Sequence, residues 1–353
     1  MSRTDRVGFV LLAVVGLLSL LLAGCGGGGG GSDDGDDNGT TVTFTHSPMD
    51  LDDVLHIQPL GNLNPPGHTY PSDHIGFYFA DPNQTYPIYA HATSTITRIF
   101  KRTASNASGY DYKLTFRHTS KISSYLDHVV LSEAMLAAAG NLHEGSNEVS
   151  IAVTAGQTLG TAGGPPGDLK GMDIGVMDTS SSLPGFIHPE RYYDSTRYCR
   201  APLSYFTEPL RDSLYALVRC DGENKDGKID YDVLGRLVGT WFSEGAGMDE
   251  WERQLSFVYE PQHPAQVRIS MGGELGLCEV FSIQEGAPRP AEVSEATGKV
   301  AYQLRYPYFS ATQPAAGLLI VQVTGPETIK VELFVGSQAT DAEFTAAART
   351  YVR

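Results

Sequence analysis

Six short apolar segments recur through residues 254–336: QLSFVYE, AQVRISM, LGLCEVFSI, KVAYQLRY, GLLIVQV and TIKVELFVG. Each is rich in β-branched or aromatic residues and runs apolar or alternates with period two, and Gly or Pro punctuates the gaps. DVLGRLVGTWF supplies a strand before this series, and FTAAARTYVR supplies one after it that can close a ring. About seven strands at this spacing restrict the segment to a β-barrel or a β-sandwich. A ring of this size leaves open whether the interior holds a ligand or is filled with side chains.

The same grammar governs an earlier stretch. VTFTH, HIGFYF, STITRIF, YDYKLTFRH and NEVSIAV read as strands, separated by the turn sequences NPPG, DPNQ, SNASG and GGPPGD. LSEAMLAAAGNL is the exception, because its Ala, Leu, Met and Glu favour a short helix. Between the two β regions, Tyr205, Phe206, Leu210, Leu214, Leu217 and Val218 recur at helical spacing, and Pro189 and Pro202 break the run. The chain is therefore mostly β. A β domain at 42–187 and a β-barrel or sandwich at 223–353 are joined by a helical connector at 188–222. DGENKDGKIDYD has the look of a calcium loop, but an EF-hand register places Gly222 and Val233 at two ligand positions, so a polar turn is the better reading.

The beginning of the chain is an address. Arg3 and Arg6 precede the apolar run VGFVLLAVVGLLSLLLAGC. LAGC resembles a bacterial lipobox, which implies a signal peptide at 1–25 and a lipid on Cys25; the alternative is an uncleaved membrane helix. Residues 26–41 are Gly, Ser, Asp, Asn and Thr and form a solvated tether. The expected location is the cell envelope. Gly26 after the lipidated cysteine implies, in a Gram-negative cell, the outer membrane, facing the periplasm or the cell surface. The membrane is thus a partner through the lipid. A net charge of −16 argues against nucleic acid, although part of it sits in SDDGDD. In an oxidising compartment, Cys199 and Cys220, flanking the helical stretch, are the preferred disulfide, with Cys278 a buried thiol in its strand.

YPIYAHATSTITRI, YKLTFRHTSKISSYLDHV and, most specifically, VTAGQTLGTAGG follow one another in the order and spacing of the lysostaphin-type (M23, LytM-like) peptidase fold, and MDIGVMD falls on that fold's H-x-H strand. The chain resembles this family. The resemblance implies a β-sandwich-type module, peptidoglycan as a partner and zinc held by H-x-x-x-D plus the second His of H-x-H. Here H-x-H reads Asp173-Ile174-Gly175, and Y-x-H reads Tyr125-Leu126-Asp127 with His128 one place late. A one-residue step along a strand turns a side chain to the other face. His68 and Asp73 are five apart instead of four. No residue is therefore assigned a catalytic role. His68, Asp73, His74 and Asp173 stand as candidate ligands for zinc or manganese in an unusual site. The favoured function is non-catalytic binding of a wall polymer. The alternatives are a metal-dependent cell-wall endopeptidase and a small-ligand carrier working through the C-terminal barrel.

Overall fold

The computed structural model describes residues 41–307 and 314–353. Cys25 and its signal peptide, and all of the tether except Thr41, lie outside the described residues. No helix among the described residues is long and apolar enough to cross a membrane.

Ten strands build the first sheet: β1 Val54–Gln58, β2 Ile75–Phe79, β3 Thr85–Tyr89, β4 Ser94–Thr103, β5 Tyr110–Arg117, β6 Ile122–Leu131, β7 Gly145–Val153, β8 Thr158–Gly163, β9 Gly171–Asp178 and β10 Cys199–Arg200. Their order is β1-β2-β9-β6-β5-β4-β7, with β8 joining β3 to β6 and β10 on β9. Alternation explains the two faces. Along β5, Tyr112, Leu114 and Phe116 are buried in the core, while Lys113, Thr115 and Arg117 face the other way. The expected helix is α1, Glu133–Ala139, capped by Ser132, whose side chain accepts from the Met135 amide. VTFTH is not a strand. Phe44 alone makes a bridge, to Phe206, and its ring is fully buried.

The connector is helical only in short pieces, α2 (Asp194–Arg197) and α3 (Leu210–Ala216), with single 3-10 turns at Pro189–Arg191 and Pro202–Tyr205. Pro189, Pro202 and Pro209 each stand at the start of one of these pieces or just before it, where a proline ends what precedes it.

The second β region is a closed antiparallel barrel of eight strands: β11 Gly239–Ser243, β12 Gln254–Tyr259, β13 Val267–Gly272, β14 Cys278–Ile283, β15 Val300–Arg305, β16 Gly317–Gly325, β17 Thr328–Val335 and β18 Arg349–Val352. FTAAARTYVR does close it, with Phe242 opposite Val352. Trp241, Leu255, Phe257, Ile269, Phe281 and Tyr302 are fully buried in one cluster. Eight strands leave an interior just wide enough for such side chains. The interior is packed, unlike the open one that a small-ligand carrier needs. Phe242, pointing the other way from Trp241, belongs to the sheet's core, where Tyr192 packs edge-on to it and Arg191 lies 4.1 Å from its ring centre. The described residues all belong to one compact unit.

Candidate functional site

The site lies on the face of the sheet away from the core, where β2, β9 and β6 run side by side. Gly76 of β2 and Asp127 of β6 both pair with Asp173 of β9, and Tyr125 pairs with Gly175. Residues directly opposite in antiparallel strands share a face, so this register gathers them. His74 enters from the end of the loop before β2.

His128 joins them through a bulge. Tyr112 pairs with Val129 and Leu114 with Leu126, so Asp127 and His128 together oppose Lys113 alone. His128 takes a left-handed φ of 67°, as an extra residue in a ladder can. The expected turn of His128 to the opposite face is therefore corrected. Its Nε2 lies 3.4 Å from Asp173 Oδ2, and its Nδ1 2.9 Å from Asp111 Oδ2. The sequence carried a sign of this: Leu126 and Val129, both buried, enclose two polar residues where strict alternation allows one.

The four sequence-derived ligand candidates do come together. His74 Nδ1 is 3.2 Å from Asp73 Oδ1, its Nε2 is 3.4 Å from Asp173 Oδ2, and the His68 ring stands edge-on at 5.1 Å between centres. Their roles differ from those expected. Asp73 is already satisfied: Tyr125 Oη donates to Oδ1 at 2.8 Å and Thr196 Oγ1 to Oδ2 at 3.0 Å. Burial raises the cost of its charge, yet His74 and Lys113 hold its carboxyl below the usual range. Burial, with His74 beside it, pushes His68 down to about 4, so it is neutral at physiological pH. His128 moves the other way. Against burial, its bonds to Asp111 and Asp173 raise it to about 10, making it an imidazolium. His74 is also raised, because Asp173 and Asp73 outweigh its burial.

Zinc of the implied kind does not fit these residues. A cation would need carboxylates with free lone pairs, and both oxygens of Asp73 already accept hydrogen bonds. The position of the second H-x-H histidine is Gly175, and a Cβ there would lie 2.3 Å from the Tyr125 ring. Tyr125 thus fills the space of the missing ligand. Counting four residues from His74, as H-x-x-x-D requires, arrives at Tyr78, which stacks on His56 at 4.5 Å. His68 and Asp73, five apart, do not keep that spacing. One described group does bring three ligand atoms within 4.8 Å of one another: Asp111, Asp127 and His128. Arg102 already supplies the positive charge there. Its guanidinium donates to Asp111 at 2.7 Å and to Asp127, and lies 3.1 Å from His128 Nδ1. Both carboxylates and the imidazolium are balanced without an ion.

No family model and no curated protein matches the chain. The solved structures to which the chain is similar include the following two. The solution structure of lysostaphin aligns at 13% identity over 87% of this chain and 90% of its own, with a TM-score of 0.28. A structure of the SpoIIQ–SpoIIIAH pore-forming complex aligns at 11% identity over 49% of this chain and 96% of its own, also at 0.28.

The expected Cys199–Cys220 disulfide is not formed, since all three described cysteines are free. Cys199 Sγ is buried beneath the site and donates to the Asp73 carbonyl at 3.4 Å, whereas Cys220 Sγ accepts from the Gly222 amide at 3.4 Å. Cys278, expected to be buried, is exposed on β14. DGENKDGKIDYD is a turn whose oxygens are used internally: Asn224 Oδ1 accepts from the Asp226 amide, and Asp230 Oδ2 from the Gly185 amide.

Proposed function

We propose that the chain is a lipid-anchored cell-envelope protein whose lysostaphin-like domain binds a wall polymer, peptidoglycan in the first instance, without cutting it. The observation that carries this reading is the ring of Tyr125 in the space above Gly175. A hydrolase of the resembled kind needs a Lewis acid to polarise the scissile carbonyl and activate water. Here the ligand position is occupied by a phenol, and His128 is protonated and committed to two carboxylates. Such a group has no free lone pair with which to act as a general base, and both of its N–H donors already face carboxylates. The open groove around the cluster remains available for binding. Lipidation of Cys25, and in a Gram-negative cell location at the outer membrane, belong to the same proposal and rest on the lipobox resemblance and on Gly26 after it.

The test is co-sedimentation of the full-length protein with purified peptidoglycan sacculi in the presence of zinc, with soluble fragments read by mass spectrometry. Sedimentation without fragment release is the expected result. Fragment release that His74→Ala abolishes would overturn the reading.

A further inference from the structure

Two cavities adjoin on the site face and share Lys113 and Ser195. One, of about 350 Å³, contains the charge cluster and is walled at one side by Tyr193 and Trp251. The other, of about 480 Å³, follows β5 into the turn before β6 and is lined by Arg98, Lys113, Arg117 and Lys121. Lys113 and Arg117 are four residues apart on one strand, which spans about 13 Å, the reach of a few sugar rings.

The charge of this second cavity runs against the −16 of the whole chain. Arg98 is paired with Glu148 at 3.0 Å, and Lys113 lies 3.5 Å from the Tyr125 ring centre. Arg117 and Lys121 are exposed and form no salt bridge among the described residues. The cavity's acidic lining is Asp194, and Arg197 already neutralises it at 2.6 Å. Lys121 has only a longer-range attraction to Asp178, and two exposed cations without a salt bridge in a concave site raise the local concentration of anions. Thr97, Thr115, Thr119 and Ser123 add hydroxyls between them.

Trp251 supplies a different chemistry. It is 42% exposed. Its backbone is nevertheless fixed, because its carbonyl accepts from Thr69 Oγ1 at 3.5 Å and sits so close to Gly272 that a Cβ there would lie 2.0 Å away. A rigid backbone therefore presents a large apolar ring to a polar cleft. Such a ring offers a flat face to the C–H face of a sugar, while hydroxyls and cations serve its polar rim. A peptide docking by strand addition would need a free sheet edge. These cavities lie over strands β4, β5, β6 and β9, which are already paired on both sides.

We propose that the two cavities form one trough for an anionic saccharide chain, with a sugar ring on Trp251 and its acidic groups held by Arg117 and Lys121. This rests on the wall-binding reading and names the chemistry recognised. The experiment titrates the full-length protein in detergent with a hexameric oligogalacturonate, with neutral chitohexaose, with citrate as an anion lacking a ring, and with an acidic pentapeptide. Oligogalacturonate should bind most tightly. Trp251→Ala should weaken it about fivefold or more, and the Arg117→Glu/Lys121→Glu double variant should abolish it. Circular dichroism of both variants checks that they remain folded. Equal binding of chitohexaose or the pentapeptide, or indifference to Trp251→Ala, overturns the proposal. Sacculi that bind while oligogalacturonate does not would overturn this inference alone. Failure of both would overturn the wall-binding reading as well.

Discussion

The packing of Tyr125 over Gly175 predicts a specific non-additivity. A methyl group added at Gly175 would lie 2.3 Å from two carbons of the Tyr125 ring and 2.6 Å from its hydroxyl oxygen. These separations are well inside contact distance, and Tyr125 cannot swing away cheaply. It is fully buried but for 2% of its surface, and its hydroxyl donates to Asp73. Overpacking of this kind costs roughly 1–3 kcal/mol. Displacing the ring also breaks a hydrogen bond to a charged acceptor, worth about 1.5–3 kcal/mol. Gly175→Ala should therefore lose about 3 kcal/mol by urea denaturation. In a Tyr125→Ala background the clash has no partner. Alanine there should cost almost nothing, or even stabilise by about 0.5 kcal/mol, because glycine is unfavourable within a strand. The coupling energy from the cycle should then approach 3 kcal/mol. Equal costs of Gly175→Ala in the two backgrounds would refute the claim that Tyr125 occupies the vacant ligand position.

Other perturbations follow from the same contacts. Arg102→Met leaves Asp111 and Asp127 without their guanidinium and should destabilise by about 3 kcal/mol in a thermal melt at low salt. His128 is raised to about 10 in the fold by its bonds to Asp111 and Asp173. Its contribution is therefore complete below its unfolded value of about 6.5 and is lost as pH rises towards 10. The stability gap between the wild type and His128→Asn should be level under acid-neutral conditions and shrink between those limits; a gap that widens with pH would contradict the ionic assignment. In thiol labelling of the native chain, Cys278 should react first, and buried Cys199 only on unfolding.

The barrel was legible because each of its strands carries its own signal and short links leave few alternatives. Its closure followed from the apolar alternation near Tyr351. The metal-site region was legible only as a neighbourhood. His68, Asp73, His74 and Asp173 do converge, but sequence spacing could not separate Asp73 as a hydrogen-bond acceptor from Asp73 as a ligand. That distinction depends on Thr196, from a helix far along the chain. His128 was misassigned because a period-two argument assumes a regular ladder, and one left-handed residue breaks it. Arg102 escaped notice for a similar reason. It lies on β4, and only the pairing of β4 with β5 and β5 with β6 brings it to Asp111 and Asp127. VTFTH read as a strand because its alternation is real. Its phenylalanine, however, serves as an anchor against Phe206 and not as part of a ladder.

The claim that the resembled zinc site has been replaced by a self-neutralised cluster is tested most directly by calorimetric titration of the full-length protein with zinc at neutral pH. The account predicts no stoichiometric binding tighter than about 10 µM, since a structural or catalytic site binds far more strongly. One zinc per chain at submicromolar affinity, lost in His74→Ala and in Asp173→Ala, would contradict it.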